Sequence, residues 1–171
     1  MPVIFPRFAA LLAMLLVVLL VVLLVVVPAL AVAQSGAPLP RFAALRADEV
    51  NLRAGPGTEY PVEWVFMRRA LPIEITAEYG QWRKIRDYDG SEGWVHKSLL
   101  TGRRSLLVTG EVRTLRDDPA LEAPATARAE PGVIGRLLAC DGGWCEIDVA
   151  GHKGWLPIAH LWGVYDGEVV E

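Results

Sequence analysis

The chain has 171 residues, 17 basic and 20 acidic side chains, a formal net charge of −3 and two cysteines. That balance lacks the concentrated positive field of a nucleic-acid surface, so no nucleic-acid partner is expected. The positive mean hydropathy comes largely from one N-terminal run and does not describe the remainder.

Arg7 precedes twenty uninterrupted apolar residues, Phe8 to Val27, and Pro28 ends the run. Ala31-Val32-Ala33 then offers small residues where a signal peptidase reads, so residues 1–33 read as an export signal cleaved before Gln34. The run is longer than the usual secretory core and spans a bilayer at ~1.5 Å per residue, which leaves an uncleaved anchor through residues 8–27 as the alternative. In both cases the remainder is exported, because the positive charge stays on the cytoplasmic side. The expected location is periplasmic or secreted; with an uncleaved anchor it is the inner membrane, facing the periplasm. Removing Arg7 with this segment leaves 138 residues carrying 16 basic and 20 acidic groups, net −4, a length for one ordinary domain or two small ones.

Past a linker over residues 34–43, the stretch VNLRAGPGTEYPV (50–62) packs Gly55-Pro56-Gly57 between short apolar runs. Proline presets one backbone angle and a following glycine accepts the positive φ of a type II turn, so the tripeptide is expected to redirect a strand. No Gly-Lys-Ser/Thr and no helical pattern follow, which separates it from a phosphate-cradling loop. Pro72-Ile-Glu-Ile-Thr alternates apolar and polar, and Trp82-Arg-Lys-Ile-Arg follows the glycine break at Gly80. Asp89-Gly90 marks a hairpin turn before the short strand Gly93-Trp-Val-His. Further on come Arg136-Leu-Leu-Ala-Cys, a turn at Asp141-Gly142-Gly143, Trp144-Cys-Glu-Ile-Asp-Val, a turn at Gly151 and Gly154-Trp-Leu. Helical periodicity is absent, apart from single turns expected near Lys97–Leu100 and Ile158–Leu161.

These elements form a repeat. LRAGP at Leu52 answers LRDDP at Leu115, GQWRKI at Gly80 answers GGWCEI at Gly142, and GWVHKSLL at Gly93 answers GWLPIAHLW at Gly154. Arg53 to Trp82 is 29 residues and Arg116 to Trp144 is 28, while Trp82 to Leu99 and Trp144 to Leu161 are both 17. One small all-β unit is therefore present twice, with turn signals at the spacing of small barrels. The copies differ in charge: residues 41–104 carry net +2 and residues 105–171 net −6.

The order NLRAGPG…GQW…GWVHKSLL resembles the bacterial SH3-like domain in its exported tandem form. The resemblance implies two SH3-like β-barrels, over residues 44–104 and, more divergently, 105–171. It also implies that Asn51, Arg53, Gly55, Pro56 and Gly57 form the first strand and enter a long loop beside a ligand groove. The second copy departs there, with Asp117-Asp118 in place of Ala54-Gly55.

Cys140 and Cys145 flank Asp-Gly-Gly-Trp, and a hairpin turning there brings them to a cross-strand pairing that a disulfide can bridge in an exported chain. Two reduced thiols, one buried, are the alternative. A zinc site from these cysteines with His152 and His160 departs from the usual ligand spacings, so no metal or cofactor is expected. Nor do thiols in a tight turn suit a Cys/His hydrolase, and no catalytic residue is expected.

The aromatics carry more information. In so small a domain Trp94 and Trp155 are expected in the two cores. Tyr60, Trp64 and Tyr88 fall on expected loops of the first copy and, with Trp82, make its candidate groove. Arg68-Arg69, Arg83-Lys84-Arg86 and Arg103-Arg104 read as a solvated face; attraction to acidic wall peptides or anionic headgroups would be screened beyond ~8 Å. The reading is a non-catalytic exported module that recognises an extended peptide, cell-wall stem peptide or a segment of another envelope protein. The alternatives are a structural adaptor whose barrels pack on each other, and an accessory of a cell-wall hydrolase.

Overall fold

The computed structural model describes residues 37–171, so the expected export signal lies outside the described residues. Fourteen strands fall into two antiparallel sheets of seven. In the first barrel these are β1 (Arg41–Leu45), β2 (Val50–Arg53), β3 (Val62–Phe66), β4 (Pro72–Tyr79), β5 (Trp82–Arg86), β6 (Glu92–His96) and β7 (Leu100–Thr101). The second repeats them as β8 (Ser105–Val108), β9 (Arg113–Arg116), β10 (Ala125–Ala129), β11 (Ile134–Asp141), β12 (Trp144–Val149), β13 (His152–Pro157) and β14 (Leu161–Trp162). Both sheets have one order, β3-β2-β6-β5-β4-β1-β7 and β10-β9-β13-β12-β11-β8-β14, as duplication of one unit requires. Single 3-10 turns, Lys97–Leu99 and Ile158–His160, stand at matching places.

The first sheet starts at Arg41, so residues 41–43, expected in the linker, are strand. Phe42, Ala43 and Ala44 are buried, and β1 pairs with both β4 and β7, which leaves β7 at the end of the sheet opposite β3. The stretch from Asn51 consequently lies on the second strand, not the first.

The hydrogen bonds fix the equivalences. Leu45 N–H donates to the Leu71 carbonyl at 3.0 Å, as Val108 N–H does to Val133 at 2.9 Å; Arg46 N–H donates to Leu99, as Thr109 N–H does to His160. Leu99 therefore matches His160, and Leu100 (7% exposed) matches Leu161 (8%). The equal 17-residue spacings paired Leu99 with Leu161, one position out of register. The difference is an extra residue in the first barrel: Tyr88-Asp89-Gly90 turns β5 into β6, where Ala150-Gly151, both at positive φ, suffice between β12 and β13.

Both cores are aliphatic. Leu52, Ile73, Ile85 and Val95 fill the first; Leu106, Leu115, Ile147 and Leu156, with the two cysteines, fill the second. Trp94 and Trp155, expected inside, are only half-buried on the outer faces. Strand parity decides this: successive side chains point to opposite faces, and Val95 (0% exposed) and Leu156 (1%) hold the inward positions. The glycines before these tryptophans are what the repeated Gly-Trp requires. A Cβ on Gly93 would sit 2.6 Å from Leu52 Cγ and 2.9 Å from the Arg53 carbonyl; on Gly154, 2.7 Å from Leu115 Cβ.

Cys140 and Cys145 are bonded across the β11–β12 hairpin, Cα atoms 4.1 Å apart, and both are buried. Val170 caps the pair: its amide donates to the Cys140 carbonyl at 3.0 Å and its carbonyl accepts from the Cys140 amide at 2.8 Å. No free cysteine remains among the described residues.

The barrels meet along an aromatic seam. The Phe42 ring lies 5.1 Å from Trp162 and 4.7 Å from Tyr165, and Tyr88 meets Trp162 edge-on at 6.1 Å. Ser105 Oγ donates to the Ala70 carbonyl at 2.6 Å, and Arg104 pairs with Glu168.

Candidate functional site

The Gly55-Pro56-Gly57 loop is not the type II turn expected. Neither glycine has positive φ; instead the Gly57 amide donates to the Gly55 carbonyl at 3.0 Å. Gly55 is required by close approach, because a Cβ there would lie 2.4 Å from Tyr60 Cδ1. The Tyr60 ring thus lies flush on the backbone, and Arg53 holds it there, donating through Nη1 to the carbonyls of Thr58 (3.1 Å) and Tyr60 (2.7 Å).

The second copy keeps the clamp and drops the ring. Arg116 Nη1 donates to the Ala123 carbonyl at 2.5 Å, and the Asp117 amide meets Pro124 as the Ala54 amide meets Pro61, both at 3.1 Å. Ala123 thus stands where Tyr60 stands, and with no ring to clear, Asp118 replaces Gly55. The divergent motif keeps the loop's shape, and its change of residues follows from the lost tyrosine.

Beyond the loop runs β3, the free edge of its sheet. Trp64, expected on a loop, lies within this strand opposite Leu52 and is 59% exposed. Val62, Val65 and Met67 are exposed beside it. Large apolar side chains on an open edge, next to unpaired backbone donors and acceptors, are what sheets ordinarily avoid. On the matching edge β10 the register puts Ala127 opposite Leu115, where Trp64 lies opposite Leu52, and the strand reads Ala-Thr-Ala-Arg-Ala.

Trp82 opens β5, half-buried and edge-on to His96 at 5.4 Å. On the same outer face Lys84 pairs with Trp94, and Trp94 pairs with Arg53, a row that links β5 to the Tyr60 loop. Sequence reasoning missed Trp94 here by judging the indole on size; the inward Val95 was the available signal. Tyr88 does not join this group. It follows β5 at the far end from Trp82, roughly 20 Å away at the rise of an extended strand, and it meets Trp162 at the margin of the seam while remaining exposed. Asn51 pairs with Val65 on the β3 edge, and Pro56 sits at the loop tip.

The seam has its own chemistry. Glu74, 3% exposed, accepts from Tyr165 Oη at 2.9 Å and from Arg86 Nε at 3.0 Å. Burial and this carboxylate together push the Tyr165 phenol well above its ordinary value. Burial alone would raise the Glu168 carboxyl, but Arg104 and the Tyr165 amide hold it below its ordinary value. Among the described residues no group of acidic, histidine or cysteine side chains is placed to hold a metal ion, and no helix is long and apolar enough to cross a membrane.

A family model described as bacterial SH3 domain matches residues 46–102 and 110–163. The chain is 27% identical over 130 residues to a putative N-acetylmuramoyl-L-alanine amidase, YrvJ, of Bacillus subtilis (strain 168). That match takes in 70% of this chain and 25% of the relative, so the chain spans about a quarter of the amidase's length. Among solved structures, NlpC1 from Trichomonas vaginalis is 12% identical with a TM-score of 0.34, over 75% of this chain and 48% of that one. An NlpC/P60 family protein from Bacillus cereus ATCC 10987 is 14% identical with a TM-score of 0.33, over 74% and 57%.

Proposed function

The chain belongs to the bacterial SH3 domain family, and from that premise we propose that it is a non-catalytic binding module that holds an extended cell-wall peptide along the β3 edge of its first barrel. The observation that carries this is the contrast between equivalent edges, Val62, Trp64 and Val65 exposed on β3, with Met67 just past its end, against alanine, threonine and arginine on β10. An extended peptide adds to such an edge through backbone hydrogen bonds, and pockets for alternate side chains give selectivity. Trp64 and Tyr60 flank the edge; Trp82 and Trp94 extend the apolar surface around the barrel. The relative named as an amidase supports wall peptide over another envelope segment, and an exported location follows from the same reading. With both cysteines in a buried disulfide, no thiol is left for a Cys/His hydrolase.

Titration of the full chain in mild detergent with purified wall peptides tests this. Saturable binding that Trp64→Ala weakens in a folded variant is the expected result; no saturable binding, or binding indifferent to Trp64 and Tyr60, overturns it. A second reading, a structural adaptor, is favoured by the seam that buries Phe42 against Trp162 and Tyr165. It predicts instead a partner protein that binds the paired barrels and neither barrel alone.

A further inference from the structure

At the junction of the barrels, on a chain whose net charge is negative, a cleft of about 560 Å³ is lined by five arginines, Arg46, Arg69, Arg103, Arg104 and Arg136, and by no acidic residue. Two further hollows share its lining residues. One, about 500 Å³, shares Arg103, Arg104 and Arg136. The other, about 420 Å³, shares Arg46 and Thr101 and adds Arg41, Arg83 and Lys97. The cationic side chains that line them run as a track from the first barrel across the junction to the second.

Some of these cations are answered from outside the track: Arg104 by Glu168, Arg136 by Asp148 at 2.8 Å, and Arg41 and Arg83 by Glu78. Arg69 has only Asp48 at 4.0 Å, both exposed. Arg46, Arg103 and Lys97 have no ion-pair partner among the described residues. The backbone groups of the cleft are, by contrast, already used. The Ala70 carbonyl accepts from Ser105, the Leu45 carbonyl from Ala70, and the Leu45 and Arg46 amides donate to Leu71 and Leu99. Apart from the Thr101 hydroxyl, which already accepts from the Arg103 amide, the side-chain groups offered to a ligand are guanidinium N–H, donors without acceptors.

We propose that this track binds a linear polyanion whose repeat carries a phosphate group. A phosphodiester accepts hydrogen bonds and donates none, and it fits the planar fork of arginine through paired oxygens. A peptide brings an N–H donor with every carbonyl and would leave those donors unanswered. A single-stranded nucleic acid finds no platform for its bases, since the single aromatic along the track, Phe42, is buried in the seam; a duplex would be held by its phosphates alone. Arg46, Arg69, Arg103 and Arg136 stay exposed where they line the cleft, so an anionic bilayer is the rival source of phosphate that the test separates. The site uses different residues from the β3 edge and stands independently of the peptide reading.

The test is titration of the full chain in mild detergent with long-chain inorganic polyphosphate, with polyglutamate and anionic phospholipid vesicles as the other arms. Saturable, salt-sensitive polyphosphate binding is expected. It should weaken about tenfold or more in Arg46→Gln/Arg103→Gln, with the log–log salt slope shallower by about 1.5 for the two charges removed. The variant Arg128→Gln/Lys153→Gln, an equal charge change on exposed positions of β10 and β13, and Trp64→Ala should both leave it within about twofold of wild type. Absence of saturable binding, equal loss in both double variants, or equal binding of polyglutamate overturns the proposal. Binding to vesicles but not polyphosphate overturns it in favour of a membrane surface.

Discussion

Tyr165 donates its hydroxyl to Glu74 across the junction of the barrels at 2.9 Å, joining residues 91 positions apart in the chain. Because Glu74 is 3% exposed and also holds Arg86, the bond ties two barrels through one buried carboxylate. Tyr165→Phe is expected to lower stability by about 1.5–3 kcal/mol, the range for a hydrogen bond to a charged group, with Arg86 left in place. Chemical denaturation of wild type and variant checks this.

The same bond has an alkaline limit. A phenol whose folded pKa is raised stabilises fully below its unfolded value, ordinarily 10.0, and that stabilisation is lost as pH rises beyond it. Glu168 gives the acid limit: its lowered folded value contributes above the ordinary 4.5 and is lost as pH falls below it. Stability plotted against pH should fall on both sides, and Tyr165→Phe should flatten the alkaline fall alone. An unchanged alkaline limb would show that Tyr165 is not its cause.

Gly55 and Tyr60 form a pair in which one residue makes room for the other. Gly55→Ala should cost about 1–3 kcal/mol as an overpacked contact, and Tyr60→Ala in the same chain should recover most of it. A double-mutant cycle measures the coupling; additive effects would contradict the close approach.

Ala70 has φ 59°, and its hydrogen-bond counterpart in the second barrel is Gly132 at φ 82°. Alanine in the left-handed region costs about 1–2 kcal/mol, partly offset by its smaller entropy loss on folding. Ala70→Gly should therefore raise stability by up to about 1 kcal/mol, and Gly132→Ala should lower it by a similar amount. Thermal melts of the two variants should shift in opposite directions.

The disulfide closes a short loop, so its stabilisation falls at the low end of about 2–4 kcal/mol. Its local effect is more telling, since Val170 hangs its two backbone bonds on Cys140. Cys140→Ala/Cys145→Ala should speed hydrogen exchange at the Val170 amide more than at Ile85 in the other core.

Duplication was legible because matched motifs at near-equal spacing report one backbone used twice. The misreadings share a physical cause. Trp94 was placed inside for its size, but parity with Val95 sends it outward. Proline followed by Gly57 suggests a dihedral, whereas the glycine the loop needs for space is Gly55, because of a ring five residues on. The one-residue slip at Leu99 came from a loop insertion that spacing alone cannot locate. The seam was illegible for a different reason: Phe42, Glu74, Trp162 and Tyr165 come from distant segments, and no local pattern links them. On the candidate site, the loop motif and its aromatics could be read, whereas the open edge could not, because the position of β3 in the sheet is a property of the whole fold.

Phe42 faces Glu74 in the β1–β4 register, and the matching pair between β8 and β11 is Ser105 facing Arg136. Head-to-tail contacts between repeats ordinarily permit indefinite growth, each member offering the next what the last received. In the second barrel a serine and an arginine stand where the first has a phenylalanine and a glutamate, and both are already engaged, Ser105 by the Ala70 carbonyl and Arg136 by Asp148. A further barrel ending in its own Trp162 and Tyr165 equivalents would find no apolar seat and no acceptor. The contact between these two barrels therefore does not propagate itself, and any further copy would have to be joined through some other surface.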